Sequence, residues 1–308
     1  MALFKAKKKG DLLAERILII HNPTAGGLVG PFALTERRLR KLGCHVTLLH
    51  TSARGDAERM AREAATRDYD RIVAAGGDGT INEVINGLAG TEMPLALLPL
   101  GTANVLAREI GLKVRPGKLA ETIVRGKPQP ICLGRVRGED GAERLFVMMA
   151  GIGADAHAVA GVNLDFKRIA GKGAYFAEAL RQFLVFPFPQ YRLNIDGVSH
   201  EAASVVIANG RYYAGDYVLA PDARLTDASL HVCIFESAGR KEALRYALAI
   251  EQGGLVDLPD YRVPPGKKIL VEGPKDDPVQ ADGDIVAHLP VEIEALPESL
   301  NLVMPVAG

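Results

Sequence analysis

Three short turns in the first third of the sequence combine glycine with small polar side chains. They are Asn22-Pro23-Thr24-Ala25-Gly26-Gly27, Gly76-Gly77-Asp78-Gly79-Thr80 and Gly101-Thr102-Ala103-Asn104. Glycine lets a backbone approach a phosphate closely, and a helix that starts after such a turn aims unpaired N–H groups at the anion. One such turn says little; three in order suggest a phosphate-binding rim. Asp78, a carboxylate inside a glycine loop, has little to offer packing. It is read as a ligand for a nucleotide-bound magnesium, with turn termination as the alternative. Thr80-Ile81-Asn82-Glu83 fits the T-x-x-E capping box, so Glu83 is expected to start a helix and Thr80 to cap it while touching nucleotide. Near the other end, Asp282-Gly283 between Val279-Gln280 and Ile285-Val286 is a type I′ hairpin signal.

Two further motifs fail on context. Gly171-Lys172-Gly173 lacks both the upstream glycine and the Ser/Thr of a P-loop. Gly151-Ile152-Gly153-Ala154-Asp155-Ala156 fits G-x-G-x-x-A, but the stretch that should hold the second strand, around Tyr175–Glu178, has a helical pattern.

The elements that would position the three turns alternate between strand and helix. Arg16–His21, His45–His50, Asp70–Ala75 and Pro94–Leu98 are apolar strand runs, and each glycine turn follows one of them. Between and after them, Pro31–Leu42, Gly55–Arg67, Thr80–Leu88 and a segment from about Thr102 have helical patterns. This alternation predicts a parallel sheet with helices on both faces and ligands at the carboxyl ends of the strands. From about residue 130, at Lys127-Pro128-Gln129-Pro130, strands follow one another instead, with hairpin signals at Asp196-Gly197 and Asp282-Gly283. Only Gly171–Val185 and Arg240–Gln252 have helical patterns there. A domain boundary is therefore expected near residue 130.

Composition narrows the function classes. Lys+Arg and Asp+Glu both number 37, which argues against a nucleic-acid partner held by non-specific phosphate attraction. Cys44, Cys132 and Cys233 are scattered and odd in number, so they form neither a disulfide framework nor a metal motif, and a cytoplasmic setting is expected. No run approaches the ~18 apolar residues of a membrane span. The start is basic (Lys5, Lys7, Lys8, Lys9) but is followed by Asp11, Glu15 and Arg16, unlike a signal peptide.

GGDGTINEVINGL (Gly76–Leu88), with NPTAGG before it and LPLGTANVLAREIGL (Leu98–Leu112) after it, resembles the diacylglycerol kinase catalytic-domain family. That family includes bacterial lipid kinases and the sphingosine and ceramide kinases, and is distantly similar to NAD kinases. A chance GGDGT in a chain of this size is on the order of one in a thousand. The likeness continues through GIGADAHAV (Gly151–Val159), ANGRYYAGDYVLAPDARLTDASLHV (Ala208–Val232) and QADGD (Gln280–Asp284).

The resemblance implies an NAD-kinase-like, Rossmann-like α/β domain (1–130) and a β-sandwich-like domain (131–300), with the tail from about 301 to 308 returning to the first. The active site is expected in the cleft between them. The implied activity is transfer of a phosphoryl group from ATP, with Mg2+, to a lipid hydroxyl. By motif, ATP contacts fall on Asn22, Pro23, Thr24, Ala25, Gly26, Thr51, Gly76, Gly77, Asp78, Gly79, Thr80, Ile81, Asn82 and Thr102. The family's base region, D-G-E, is matched by Asp282-Gly283-Asp284, so Asp282, Asp284 and Asp78 are the catalytic candidates. Because Asp284 is one methylene shorter than the family's Glu, a displacement of about 1.5 Å, Asp282 is held at least as eligible for the base. A structural magnesium site is implied at Asp227 with the carbonyls of Arg224 and Ser229, although Thr226 and Ala228 depart from the usual pattern.

The implied partner is a lipid at a membrane surface, met transiently. The N-terminal lysines are read as a solvated tail or an anionic-lipid contact, and Phe183-Leu184-Val185-Phe186-Pro187-Phe188-Pro189 as core or as an apolar rim. The choice of lipid is not readable, nor is oligomeric state, a homodimer being one open option. A kinase of a soluble substrate such as NAD, or a non-catalytic binding relative, are the rival readings.

Overall fold

The computed structural model describes residues 15–25, 29–161 and 186–306. Gly26, the segment Gly171–Val185 and the N-terminal lysines lie outside the described residues.

The first part alternates as β1 (Arg16–His21), α1 (Val29–Lys41), β2 (His45–His50), α2 (Asp56–Ala64), β3 (Arg71–Gly76), α3 (Asp78–Leu88) and β4 (Leu95–Pro99). Two further helices follow, α4 (Val105–Glu109) and α5 (Pro116–Arg125). The strands lie in the order β2-β1-β3-β4, all parallel. Their side chains sort with a period of two. Ile17, Ile19, Val73 and Leu98 pack with Phe32, Leu39 and Ile123 of α1 and α5. Leu18, Ile20, Ile72 and Leu97 pack with Ala61, Ile81 and Ile85 of α2 and α3. β1, β3 and β4 are buried on both faces and so are largely continuous apolar runs, whereas β2 at the sheet edge is mostly exposed. Gly87 lets α2 and α3 touch: a Cβ there would lie 2.4 Å from the Glu58 carbonyl oxygen.

The second part opens with β5 (Lys127–Gly138), β6 (Glu143–Phe146), β7 (Met149–Ile152), α6 (Ala154–Gly161), β8 (Tyr191–Ile195), β9 (Val198–Ala202) and β10 (Ser204–Ala208). After the two-residue strands β11 (Tyr212–Tyr213) and β12 (Tyr217–Val218) come β13 (Leu230–Phe235) and α7 (Arg240–Gln252). The chain ends on β14 (Tyr261–Arg262), β15 (Pro265–Gly266), β16 (Lys268–Glu272), β17 (Pro278–Ala281), β18 (Asp284–His288) and β19 (Val291–Met304). One antiparallel sheet runs β14-β13-β10-β7-β17-β18, and it faces β5, β6, β8, β16 and β19 across a shared core that includes Phe146, Ile152, Tyr191, Ile207, Val279 and Ile293. This is the β-sandwich-like half expected beside the α/β half. In both hairpins the Asp-Gly pair has positive φ, 48° and 94° at Asp196-Gly197 and 46° and 89° at Asp282-Gly283, as a type I′ turn requires.

β19 belongs to both halves. It pairs antiparallel with β5 along most of its length, while Leu302 pairs in parallel with Leu95 of β4. The two halves therefore share one ten-stranded sheet.

Sequence reasoning missed α5, although Pro116 at its first turn and Gly126 at its end are ordinary boundary signals. It also missed α6, whose small residues ADAHAVAG carry almost no apolar periodicity. The helix expected from about Thr102 is the five-residue α4, beginning at Val105.

Candidate active site

All four parallel strands end at one edge, which brings the three turns together. The Asn22 amide nitrogen donates to Thr80 Oγ1 (3.0 Å), and Asn22 Oδ1 accepts from the Thr24 backbone N–H and hydroxyl. The first turn is thereby tied to the second. The second meets the third backbone to backbone: a Cβ on Gly101 would lie 2.8 Å from Gly77 Cα. At Gly79 nothing lies within 4 Å of the Cβ position. A polar cavity of about 570 Å³ opens there, walled by Thr24, Ala25, Thr51, Gly79 and Thr80. Helix α3 starts at the N-cap Gly77 with no capping side chain, so its first N–H groups have no cap of their own. An open backbone wall with uncapped donors fits the phosphates of ATP.

Several expected contacts go elsewhere. The capping box is overturned: α3 begins two residues before Thr80, and Glu83 accepts from the Ala57 N–H at the start of α2 (3.2 Å). Ile81 is buried and faces a different, apolar cavity. The Asn82 side chain turns away from the phosphate rim and donates to Asp282 Oδ2 (2.7 Å), while its Oδ1 accepts from Arg144 (3.1 Å). The two oxygens of Asp78 accept the N–H groups of Asn104 (3.0 Å) and Val105 (2.8 Å), fastening the second turn to the third. Pro23 and Thr102 are exposed at the rim.

The Asp282-Gly283-Asp284 turn separates its two carboxylates. Asp282 is enclosed, with Oδ2 accepting from Val147 N–H and Asn82 (both 2.7 Å) and Oδ1 from Met148 and Met149 N–H (both 3.0 Å). Burial pushes its pKa up, and the four donors oppose that rise. A carboxylate with four donors on it is a clamp between α3 and the β6–β7 segment, so the eligibility given to Asp282 as base is corrected. Asp284 instead lines the polar cavity, 2.9 Å from the Arg54 guanidinium. Arg54 was missed by sequence reasoning; its signal was a cation four residues beyond the end of β2 at His50.

On the other side of Asp282 and Asp78 lies an apolar cavity of about 260 Å³ with Ile81, Met148 and Asp155 in its wall. A second, of about 220 Å³, adjoins it and shares Asp155, Ala158 and Tyr213. Asp155 was also missed, though it sits inside the quoted GIGADAHAV. It accepts from Tyr213 (2.5 Å) and Gln280 (2.6 Å), and burial pushes its pKa up. Gly151 makes room for it, since a Cβ there would lie 1.9 Å from Asp155 Oδ2. Phe186 is buried against His157 and Phe188, and Phe188 lines the second cavity. Within this stretch Phe186 is core.

At the implied structural magnesium site, the Asp227 carboxylate is turned onto its own loop. Asp227 Oδ2 accepts from the Arg224 N–H (3.0 Å) and meets His231 (3.3 Å), while the Arg224 carbonyl accepts from Asp227 N–H (2.9 Å). The carboxylate and one of the two expected carbonyls thus close a turn on themselves. Among the described residues no group of three or more His, Cys, Asp or Glu side chains is arranged to hold a metal.

At the ends of β1 and β2, His21 Nδ1 lies 3.1 Å from His50 Nδ1, and the His21 ring stacks on Phe32. Burial first, then the neighbouring imidazole, lowers the His21 pKa below 6.5. A histidine that is harder to protonate when folded favours the unfolded chain as pH drops through its unfolded value. Stability is therefore expected to fall between about pH 7 and pH 5. In urea melts at both pH values, His50→Gln is expected to shrink that fall; an unchanged difference would show the pair is uncoupled.

Comparison with known proteins agrees with this geometry. Residues 16–136 match the family model described as the diacylglycerol kinase catalytic domain, and residues 148–304 match the YegS C-terminal NAD kinase beta sandwich-like domain. A protein named diacylglycerol kinase from Mycobacterium tuberculosis is 32% identical over 279 residues, 88% of each chain. One of the same name from Bacillus subtilis is 29% identical over 94% of this chain and 97% of its own. A crystal structure described as a putative diacylglycerol kinase from Bacillus anthracis superposes with a TM-score of 0.78 at 26% identity, covering 99% of this chain and 98% of that one. With two domain matches in order and relatives aligned over nearly their whole length, this chain belongs to the diacylglycerol kinase catalytic-domain family of ATP-dependent lipid kinases.

Proposed function

We propose that this chain phosphorylates the free hydroxyl of diacylglycerol, with ATP in the polar cavity and the lipid in the apolar pair. One observation carries the reading: the Asp282-Gly283-Asp284 turn lines the apolar cavity with its first two residues and the polar one with its last. A hydroxyl reaching past that turn leaves the lipid side and meets the phosphates. The names of the relatives from M. tuberculosis and B. subtilis favour diacylglycerol as the acceptor.

Phosphoryl transfer asks a protein chiefly for positioning and charge stabilisation. The Gly77–Thr80 backbone and Thr51 hold the triphosphate, and Asn22 braces Thr80. Magnesium bound with the nucleotide would supply charge neutralisation, and Asp78 is the side chain that would hold it. Asp284 accepts the proton of the attacking hydroxyl. Asp282, through its grip on Asn82 and the β6–β7 backbone, fixes where Asp284 stands. Asp155 with Tyr213 and Gln280 offers the polar end of the acceptor a hydrogen-bonding group in a mostly apolar wall.

No helix among the described residues is long and apolar enough to cross a membrane. The lipid is therefore reached by peripheral contact in this reading. The test is magnesium-dependent turnover of ATP against diacylglycerol, sphingosine, ceramide and phosphatidylglycerol presented in mixed micelles. Diacylglycerol is expected to give the highest kcat/KM; a preference for another of the four would reassign the acceptor, and turnover with none would overturn the kinase reading.

A further inference from the structure

We propose that Arg54 is exchanged between two partners, Asp284 in the empty cleft and the terminal phosphates of the bound nucleotide, so that nucleotide arrival frees the catalytic carboxylate. The proposal rests on the reading of Asp284 as the base, and adds to it a residue that couples ATP binding to readiness for transfer.

The observations are local. Arg54 Nη2 lies 2.9 Å from Asp284 Oδ2, and both side chains line the polar cavity with Thr51 and Gly79. Among the described residues of that wall, Arg54 is the one Lys or Arg, while Glu83 and Asp284 are both acidic. A cavity built for a polyanion thus has a single cation, and that cation is held by a carboxylate.

The loop beneath it is fixed. Asp56 accepts from the Ser52 N–H and hydroxyl (2.8 and 2.7 Å) and from the Ala53 N–H (3.0 Å), and also pairs with Arg59. Asp56 is therefore no rival for Arg54, and an exchange needs only the Arg54 side chain to move. That side chain is 67% exposed. Exposed ion pairs are weak and geometrically loose, whereas guanidinium and phosphate meet through forked, charge-assisted hydrogen bonds. A triphosphate wins that competition.

The swap also places charge where the reaction needs it. With Arg54 gone to the phosphates, Oδ2 of Asp284 is open to the acceptor O–H. The proton passes to Asp284, the acceptor oxygen bonds to the γ-phosphorus, the bond from that phosphorus to the β–γ bridging oxygen breaks, and ADP leaves. Arg54 then stands on the transferring group rather than on the base.

A double-mutant cycle on nucleotide binding tests this. Affinities for magnesium-ATP and for AMP are measured by calorimetry with the full chain, Arg54→Ala, Asp284→Asn and the double variant. Arg54→Ala is expected to weaken ATP binding about tenfold, and Asp284→Asn to tighten it about threefold or more by removing the competitor. In the double variant the gain is expected to vanish. AMP, lacking the terminal phosphates, is expected to bind all four alike. A gain that survives without Arg54 would mean simple repulsion between Asp284 and phosphate, and would overturn the exchange. Unchanged or weaker ATP binding by Asp284→Asn would overturn it too. Failure of the kinase reading looks different: ATP binding and the cycle intact, with no lipid phosphorylated by the full chain.

Discussion

Asp284→Asn is expected to lower kcat by on the order of 10²–10⁴-fold, the usual worth of a positioned general base, with the chain still folded. The residue stands at the start of β18 with its carboxylate in the polar cavity, paired among the described residues with an exposed arginine, so its amide costs the fold little. Asp284→Glu is the informative companion. If the turn has adjusted to the shorter side chain, the longer one overshoots and kcat drops; if it has not, kcat rises. Steady-state rates with a saturating lipid acceptor, together with melting curves to confirm folding, decide the matter. Asp284→Asn with at least a tenth of normal kcat would remove it as the base.

The second large effect falls on stability. Asp282→Ala would strand three donors, the N–H groups of Val147, Met148 and Met149, and leave the Asn82 amide with the Leu145 carbonyl. A buried donor left without a partner costs about 1–3 kcal/mol, so the sum is ~4 kcal/mol or more. Set against a typical total of about 5–15 kcal/mol, that is enough to populate the unfolded chain under mild urea. Asp282→Asn keeps one acceptor oxygen but turns an amide against two donors, and is expected to cost about half as much. Urea midpoints measure both. A shift for Asp282→Ala of no more than an ordinary surface substitution, about 0.5 kcal/mol, would refute the clamp.

These two neighbours show why part of the site was readable and part was not. The buried strands of the parallel half could be read because they must be apolar runs, and glycine turns follow them; Arg16–His21 was located to the residue. The lipid-kinase family followed from motif strings in order. The duties of individual carboxylates did not follow. Asp282 finds Asn82 two hundred positions away, and Glu83 finds Ala57 in another helix. T-x-x-E reads as a local cap until a neighbouring helix offers its own free N–H group. Asp155 is hidden differently: within GIGADAHAV it is one small polar residue among others, and its hydrogen-bond partners, Tyr213 and Gln280, come from distant strands.

The shared strand β19 bears on how the cleft can move. Kinases that close by swinging two lobes need a pliable connection between them, a few residues whose dihedrals absorb the rotation. Here β5 and β19 pair from one half into the other, with one register shift between Leu296 and Leu300, and Leu302 of β19 also pairs with Leu95 of β4. A large opening would break the ladder hydrogen bonds on either side of that shift, so large rotations are costly and a small bend at the irregularity is the motion the sheet leaves. A molecule jointed this way leaves rapid adjustment to side chains at the cleft, and hands the task of admitting a lipid to the walls of the apolar cavities rather than to its domains.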